Sequence, residues 1–314
     1  MMKAILLGNG SRQGVLEGVA LLRPGIESVV DVVVSDFENA VDLSEVKADV
    51  ALVFGGDGSI LRAVHQMGEN QIPILAVNLG TFGFLSNVEP DSMVPFLKSS
   101  HFKDFEVREQ LLLNCSVWRK KVPGEPIPPC HSVSSNLHTC AEPTDWGGDS
   151  SDRYCFSNNL VVNEVSIRCG KPFSILKIDL AVDGERVTTF RGDGLILATP
   201  VGSTGHSLSA GGPILRNDLE AVLITPFSPQ TLSFRPVVDS ASRVYELQAP
   251  TGEVFLVVDG AALQKLLPDD HVVIRRAPFS FKMICVPEDK YYRNLQAKLA
   301  WGVDSVTRNN ENKR

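Results

Sequence analysis

The sequence lacks a long hydrophobic run, an excess of basic residues and any pair of cysteines spaced as CxxC. No stretch approaches the roughly 18 consecutive apolar residues that a membrane-spanning helix needs. Lys and Arg number 30 against 37 Asp and Glu, and this net charge of −7 argues against nucleic acid or an anionic membrane as a partner. The six cysteines occur without a secretion signal, which favours reduced thiols. We therefore expect a cytoplasmic protein.

The length of 314 residues is enough for about two domains. Four short apolar runs alternate with two helical patterns in the first hundred residues, and the alternation predicts an open, mostly parallel α/β sheet. The runs cover residues 3–7, 29–34, 50–54 and 74–77, and the helical patterns cover 14–22 and 59–67. We expect residues 1–102 to form this first domain, joined by a C-terminal helix at 288–305.

Strand-like runs dominate from residue 103 to 287, which predicts a β-rich second domain. The runs cover 111–118, 160–167, 176–182, 187–190, 195–198, 221–225, 254–258 and 272–276. Asp183-Gly184 is typical of a tight hairpin turn. Residues 120–152 are crowded with Pro, Ser, Gly and Cys and are expected to form an inserted surface loop.

The sharpest chemical signal is the sequence Gly-Gly-Asp-Gly-Ser at 55–59, between a predicted strand and a predicted helix. Glycines let the backbone approach a ligand, and a helix N-terminus attracts phosphate, with Ser59 as the expected N-cap and Arg62 as an anion partner. Asp57 would repel a phosphate unless it holds Mg²⁺ or accepts a proton from an attacking hydroxyl. The alternative is an ordinary strand-to-helix turn, since the spacing matches neither common nucleotide fingerprint.

Three further features could belong to the same site. A small-residue segment at 199–213 can bind ribose or phosphate through short hydrogen bonds, or can be a buried packing interface. Asn163 and Glu164 are adjacent in a predicted strand, so they point to opposite faces unless a turn redirects them. Asn78 follows the fourth strand, where open α/β sheets bind ligands.

These motifs together resemble those of the NAD kinase family. The matching segments are GGDGS at 55–59, PILAVNLGTFGFL at 73–85, VVNEVSI at 161–167 and GDGLILATPVGSTGHSLSAGGPI at 192–214, with further matches at 223–238 and 291–302. The resemblance covers nearly the whole chain except 120–152. The GGDG motif alone would not suffice, because diacylglycerol kinases and phosphofructokinases share it.

The resemblance implies transfer of the γ-phosphoryl group of ATP to the 2′-hydroxyl of the adenosine ribose of NAD, with a divalent metal such as Mg²⁺. It implies Asp57 as the catalytic base, and Arg191 as a partner for the new 2′-phosphate. The expected ATP-phosphate contacts are Gly55, Gly56, Ser59 and Arg62, and no residue is assigned to a metal. The expected NAD-binding residues are Asp57, Gly58, Asn78, Phe82, Asn163, Glu164, Ser174, Arg191, Asp193, Thr204, Gly205, His206, Ser207, Leu208 and Ser209. The family also implies a homodimer or homotetramer.

The chain departs from the family pattern at two positions. His206 stands where the family usually has Tyr, and an imidazole that titrates near neutrality predicts a pH-dependent NAD affinity. Ala261 replaces a polar residue after Asp259-Gly260, so one ligand contact is expected to be missing. Two other functions stay open, a lipid or sphingoid-base kinase and a non-catalytic NAD(P) sensor.

The remaining histidines and cysteines carry weaker signals. Cys130, His131, His138 and Cys140 cluster in the inserted loop, but their spacing matches no usual zinc site, and incidental thiols are the favoured interpretation. His65, His101 and His271 are expected to be surface or packing residues.

Overall fold

The structure is a computed structural model. It describes residues 1–79, 83–85, 88–132, 151–171, 174–250, 252–260, 262–286 and 291–299. The helices in these ranges are α1 (Val15–Glu27), α2 (Asp57–Met67), α3 (Pro90–Lys98), α4 (Ser100–Lys103), α5 (His206–Ser209) and α6 (Tyr291–Leu299), with a 3-10 helix at Val201–Thr204. None of the helices in the described ranges combines the length and the apolar character needed to cross a membrane.

The described residues form 18 strands, numbered in chain order. The first nine are β1 (Met2–Gly8), β2 (Val30–Asp36), β3 (Val50–Phe54), β4 (Ile74–Val77), β5 (Val107–Gln110), β6 (Leu113–Lys120), β7 (Arg153–Val161), β8 (Glu164–Cys169) and β9 (Leu176–Val182). The others are β10 (Glu185–Gly192), β11 (Gly194–Ala198), β12 (Ala221–Phe227), β13 (Val237–Ser240), β14 (Tyr245–Gln248), β15 (Val254–Val258), β16 (Ala262–Leu266), β17 (His271–Arg276) and β18 (Phe281–Ile284).

The first sheet has the order β2-β1-β3-β4-β18-β5 and is parallel except for the pairing of β18 with β5. Every residue of β3 and β4 is buried, because apolar clusters cover both faces of the sheet. The predicted open, mostly parallel α/β sheet is confirmed. Its β3 and β4 end side by side, which places the loops that follow them at one edge.

The sheet also contains two strands that the sequence analysis assigned to the second domain. Strands β5 and β18 lie within residues 103–287, yet they pair with each other and β18 pairs with β4. The pairing is non-local, since it joins segments about 170 residues apart, and local patterns carry no information on it. The first sheet therefore includes strands from both sides of the predicted bound at residue 102.

The second domain consists of two antiparallel sheets packed face to face. Their orders are β10-β9-β14-β17-β6-β7 and β13-β12-β11-β8-β15-β16. One continuous apolar cluster joins them, to which Val165 and Leu197 contribute from one sheet and Tyr245 and Ile274 from the other. The predicted β-rich second domain is confirmed.

The predicted strand at 160–167 is two strands in the structure. Strand β7 ends at Val161 in one sheet, and β8 begins at Glu164 in the other. The chain turns at residues 162–163, so that Asn163 and Glu164 stand at a corner of the sandwich. The backbone N–H groups of this corner donate to a distant side chain, that of Asp259, which no local pattern indicates.

Two local predictions can be compared with the structure directly. The hairpin turn at Asp183-Gly184 is confirmed, with φ values of +50° and +79° that favour such residues. The insertion at 120–152 joins β6 to β7, and its residues 133–150 lie outside the described residues.

Candidate active site

The Gly55–Ser59 segment is a tight turn from β3 into α2. Gly55 has φ +133°, and a Cβ on it would lie 2.2 Å from the Ser59 Oγ, so the turn requires glycine there. Gly56 is the N-cap residue and α2 begins at Asp57. The prediction of Ser59 as N-cap is therefore wrong: Ser59 is already inside the first turn, its N–H donates to the Gly56 carbonyl at 2.9 Å, and it is buried.

Asp57 is the first residue of α2, and its carboxylate has a fixed position. The backbone N–H of Phe84 donates to Oδ2 at 2.8 Å, and that of Leu85 donates to Oδ1 at 3.0 Å. The side chain is 31% exposed, and the Lys298 Nζ lies 3.9 Å from Oδ2. Each carboxylate oxygen keeps a further lone pair, so Asp57 can also accept a proton or contact a ligand.

The phosphate-binding candidates surround Asp57. Gly58 faces open space, since a Cβ on it would meet nothing within 4 Å. Arg62 is half-buried one turn further along α2. The N–H groups of the first turn and the helix dipole favour an anion at this point. Gly55 and Gly56 form the turn before Asp57 and Arg62 follows within α2, while the Ser59 side chain is turned inward.

Asn163 and Glu164 are held at the corner between β7 and β8. Glu164 is buried, and within the described residues its Oε2 has no hydrogen-bond partner. Burial raises the pKa of Glu164 to about 7, with Asp259 adding to the rise and Arg168 opposing it. A buried carboxylate with an unsatisfied oxygen is the position at which a ligand hydroxyl can donate a hydrogen bond.

The small-residue segment packs against this corner. The Thr199 Oγ1 donates to the Val162 carbonyl at 2.7 Å, and a Cβ on Gly202 would lie 2.0 Å from the Asn163 carbonyl oxygen. A Cβ on Gly205 would lie 3.2 Å from the Glu164 Oε2. The structure therefore brings together two motifs that are separate in the sequence. Segment 199–213 is packed against the corner, as one alternative predicted, and it also borders the unsatisfied Glu164 carboxylate, where the other alternative placed a ligand.

His206 lies in a basic environment that the sequence did not indicate. Its Nδ1 is 2.7 Å from a guanidinium nitrogen of Arg168, which extends from β8. Burial, together with the charge of Arg168, lowers the pKa of His206 below its ordinary value. The pKa of His206 therefore lies below the ordinary value assumed from the sequence, and its Nδ1 accepts a hydrogen bond from Arg168.

The next residues of the segment differ in exposure. The Thr204 hydroxyl donates to the Val201 carbonyl at 3.2 Å within the 3-10 helix. The Ser207 side chain is buried 2.8 Å from the Thr225 hydroxyl, so a ligand could meet only its backbone. Leu208 is half-buried, and Ser209 is exposed.

Other predicted residues lie apart from this corner or outside the described residues. Arg191 and Asp193 are exposed where β10 meets β11. The neighbouring Gly194 pairs with Arg168, whereas Glu164 pairs with the other end of β11, so about 13 Å of strand separates Gly194 from the level of Glu164. Asn78 is buried at the end of β4, Ser174 is exposed, and Phe82 and Ala261 lie outside the described residues.

The remaining histidine and cysteine candidates do not form a metal centre among the described residues. Cys130 and His131 are described, with the Cys130 Sγ 3.0 Å from that of Cys155, but His138 and Cys140 lie outside the described residues. His65 is buried 2.8 Å from Asp259. The sequence analysis missed the roles of Lys298, Arg168 and Asp259, because each acts on residues far away in the chain.

Comparisons with known proteins give one consistent result. The family described as ATP-NAD kinase N-terminal domain matches residues 23–99, and the ATP-NAD kinase C-terminal domain matches residues 162–286. The NAD kinase of Rhodopirellula baltica is 39% identical over 301 residues, covering 95% of this chain and 86% of its own. The NAD kinase of Geobacter sulfurreducens is 38% identical over 259 residues, covering 82% and 80%.

Two solved structures resemble the fold. Yeast NADH kinase complexed with NADH has a TM-score of 0.77 at 23% identity, covering 97% of this chain and 89% of its own, and supports the fold alone. An NAD kinase from Archaeoglobus fulgidus in complex with ATP has a TM-score of 0.67 at 25% identity, covering 95% and 99%.

Proposed function

The chain belongs to the NAD kinase family and is an ATP-dependent NAD kinase, and we propose that Asp57 is the base of its reaction. The enzyme transfers the γ-phosphoryl group of ATP to the 2′-hydroxyl of the adenosine ribose of NAD and so makes NADP. The observation that supports Asp57 is its placement: it opens α2 at the edge of the first sheet, and the N–H groups of Phe84 and Leu85 orient its carboxylate. A base must be held within reach of the proton that it accepts.

The reaction on this proposal is a single in-line displacement. The Asp57 carboxylate accepts the proton of the ribose 2′-hydroxyl while that oxygen forms a bond to the γ-phosphorus. The bond from the γ-phosphorus to the bridging oxygen breaks, and ADP leaves with the electron pair. The phosphates of ATP are held by Gly55, Gly56 and the first turn of α2. Ser59 and Arg62 are the other candidates for contacts with these phosphates.

The NAD-binding site on this proposal centres on the corner between β7 and β8. Glu164 accepts hydrogen bonds from ribose hydroxyls with its unsatisfied oxygen, and Asn163 lies beside it. Thr204, Gly205 and His206 line the adjacent wall, and the other proposed contacts are Gly58, Asn78, Phe82, Ser174, Leu208, Ser209 and the Ser207 backbone. Arg191 and Asp193 lie one strand length away, so they would meet a more distant part of an extended dinucleotide.

A divalent metal, with Mg²⁺ as the expected ion, fits a site of this kind. Mg²⁺ is usually bound through one or two carboxylates plus substrate phosphates and keeps several waters. The described residues offer no cluster of three metal-ligating side chains, so the phosphates of ATP would be the main ligands, with Asp57 as the carboxylate within reach. The ion neutralises phosphate charge when bound. Treatment with EDTA should abolish NADP formation, and added Mg²⁺ should restore it.

The partners on this proposal are nucleotides and further copies of the chain. Apolar side chains are exposed at Leu232, Val237 and Val238, which supports a homo-oligomer, either a dimer or a tetramer. The acidic net charge of −7 supports neither nucleic acid nor a membrane as a partner, and we propose a cytoplasmic location. Light scattering coupled to size exclusion measures the oligomeric state, and a monomer at micromolar concentration would contradict this part.

The role of Asp57 is tested with the variant Asp57→Asn. Loss of a general base is expected to lower kcat by about 10²–10⁴-fold, while NAD binding measured by calorimetry is retained. Asp91→Asn is a matched control, because Asp91 is an exposed Asp in the first turn of α3, and it should leave kcat unchanged within about twofold. Normal turnover by Asp57→Asn would refute the proposed role.

The same assay separates the other functions that the sequence left open. The wild-type protein is incubated with NAD, ATP and Mg²⁺, and the formation of NADP is measured with a coupled dehydrogenase assay. NAD binding without any NADP would favour a sensor, and phosphorylation of a diacylglycerol or sphingoid base in mixed micelles would favour a lipid kinase.

A further inference from the structure

The Asp259 side chain is the centre of a buried hydrogen-bond cluster between the two domains. Its carboxylate accepts from the backbone N–H groups of Val162 at 2.8 Å, Asn163 at 2.7 Å and Glu164 at 3.0 Å. The side chain is 2% exposed, and its backbone has φ +48°. A buried carboxylate that accepts three backbone donors holds the corner between β7 and β8 in one conformation.

His65 supplies a fourth hydrogen bond to the same carboxylate. Its Nε2 lies 2.8 Å from the Asp259 Oδ2, and its side chain is 4% exposed. His65 belongs to α2, the helix that begins at Asp57, and lies eight residues further along, or about 12 Å. A bond at His65 therefore links the helix that carries Asp57 to the corner that carries Asn163 and Glu164.

Apolar contacts also join α2 to this corner. Ile60 and Val64 share a buried cluster with Val162 and Val201. Such packing is non-directional and tolerates small sliding, whereas a hydrogen bond to a buried carboxylate defines both distance and direction. The pair of His65 and Asp259 thus has a geometric effect that the apolar contacts do not supply.

We propose that His65 and Asp259 are positioning residues that hold Asp57 in register with the nucleotide-binding corner. The inference rests on the proposed roles of Asp57, Asn163 and Glu164, and neither His65 nor Asp259 is assigned a contact with substrate. A catalytic group displaced by about 1 Å can cost 10²-fold in rate, because the reacting atoms leave the attack geometry. Loss of the His65 bond should therefore lower kcat more than it weakens NAD binding.

The experiment compares three replacements of His65 with a control on the same helix. His65→Leu removes the donor, His65→Gln keeps a nitrogen donor at the place of Nε2, and His65→Asn is too short to reach Asp259. Gln66→Leu is the control, because Gln66 also donates to a carboxylate, that of Asp36 at 2.6 Å, but within the first domain. For each variant, kcat, the NAD dissociation constant and the melting temperature are measured.

The expected result is a split between the variants. His65→Leu and His65→Asn should lower kcat by about 10- to 100-fold with the NAD dissociation constant changed less than about threefold. His65→Gln should retain most of kcat, and Gln66→Leu should lower the melting temperature without lowering kcat. If His65→Leu fails to fold, the contrast between His65→Gln and His65→Asn decides the question.

The proposal is overturned if the His65 variants lower only the melting temperature, or if His65→Gln and His65→Asn reduce kcat equally. It is also overturned if NAD affinity and kcat fall together, since that would indicate a role in shaping the NAD-binding corner itself. A wild-type protein that forms no NADP, or an Asp57→Asn variant with normal turnover, would instead contradict the proposed function.

Discussion

Replacing Glu164 with Gln is the most informative perturbation of the proposed nucleotide site. Burial and the nearby Asp259 raise the pKa of Glu164 from an ordinary value of 4.5 to about 7. A carboxyl group whose pKa is raised by folding stabilises the fold fully below the unfolded pKa, and this contribution is lost as pH rises through the folded value. Gln has the shape of the protonated carboxyl group but does not titrate, so the variant isolates the effect of ionisation.

The magnitude follows from the change in pKa. Each factor of ten in proton affinity is worth about 1.4 kcal/mol, so ionised Glu164 lowers the free energy of unfolding by about 3 kcal/mol at pH 8. The difference between Glu164→Gln and wild type should therefore be small near pH 4.5 and should grow across pH 4.5–7. Above pH 7.5 it should reach a plateau, with the variant more stable.

Urea unfolding of the ligand-free protein between pH 4.5 and 8.5 measures this difference. Glu185→Gln is the control, because Glu185 is an exposed carboxylate in the hairpin between β9 and β10, and its curve should run parallel to that of wild type. Parallel curves for Glu164→Gln as well would refute the reasoning, since they would mean that the buried carboxylate ionises at no cost to the fold.

NAD binding provides a second readout of the same group. Ribose hydroxyls donate to the ionised form, so NAD affinity should rise as pH increases through about 7 in the wild type and should be flat in Glu164→Gln. His206 should titrate at lower pH than a free imidazole, because burial and Arg168 keep its pKa below its ordinary value. A pH dependence that persists in Glu164→Gln and disappears in a His206 variant would reverse this assignment.

Three further predictions concern two glycines and one buried ion pair. Gly202→Ala should destabilise the fold by about 1–3 kcal/mol in thermal unfolding, because the new Cβ would lie 2.0 Å from the Asn163 carbonyl oxygen; an unchanged melting temperature would contradict it. Gly58→Ala should raise the free energy of unfolding by up to about 1 kcal/mol, because Ala favours the helix and its methyl group has open space. The same variant should lower kcat/KM, because the methyl group fills space beside the proposed base. A rise in both stability and kcat/KM would be inconsistent with a ligand at this position. Arg119→Met should cost about 3–5 kcal/mol in urea unfolding, because it removes two hydrogen bonds to the buried Asp270, and a loss below about 1 kcal/mol would show that another group compensates.

The secondary structure was predictable where the signal was local. Strands β3 and β15 match the predicted bounds, because both are continuous apolar runs between turn residues. The break between β7 and β8 was not predictable in position, since the apolar run continues through Val162 and the groups that hold the corner, on Asp259 and Thr199, are remote in the chain. Strands β5 and β18 were missed as partners of the first sheet for the same reason.

The residues of the candidate site were likewise predictable where they are neighbours in the sequence. The motif around Asp57 and the adjacent pair Asn163-Glu164 can be found in the sequence because their residues are contiguous. The orientation of Asp57 by the N–H groups of Phe84 and Leu85 and the link from His65 to Asp259 appear only in the folded chain. The environment of His206 is a further case, because its electrostatic partner Arg168 is 38 residues away.

The sequence by itself determined the chemical groups of this protein: a glycine turn that presents one acid at the start of a helix, an amide beside a carboxylate, and the family to which these belong. Tertiary structure decided how those groups are oriented, how Glu164 ionises and which distant side chains hold them in place. The physical reason is that glycine conformations, caps and hydrophobic periodicity act between neighbours in the chain, whereas burial, desolvation and hydrogen bonds across domains depend on residues that only folding brings together.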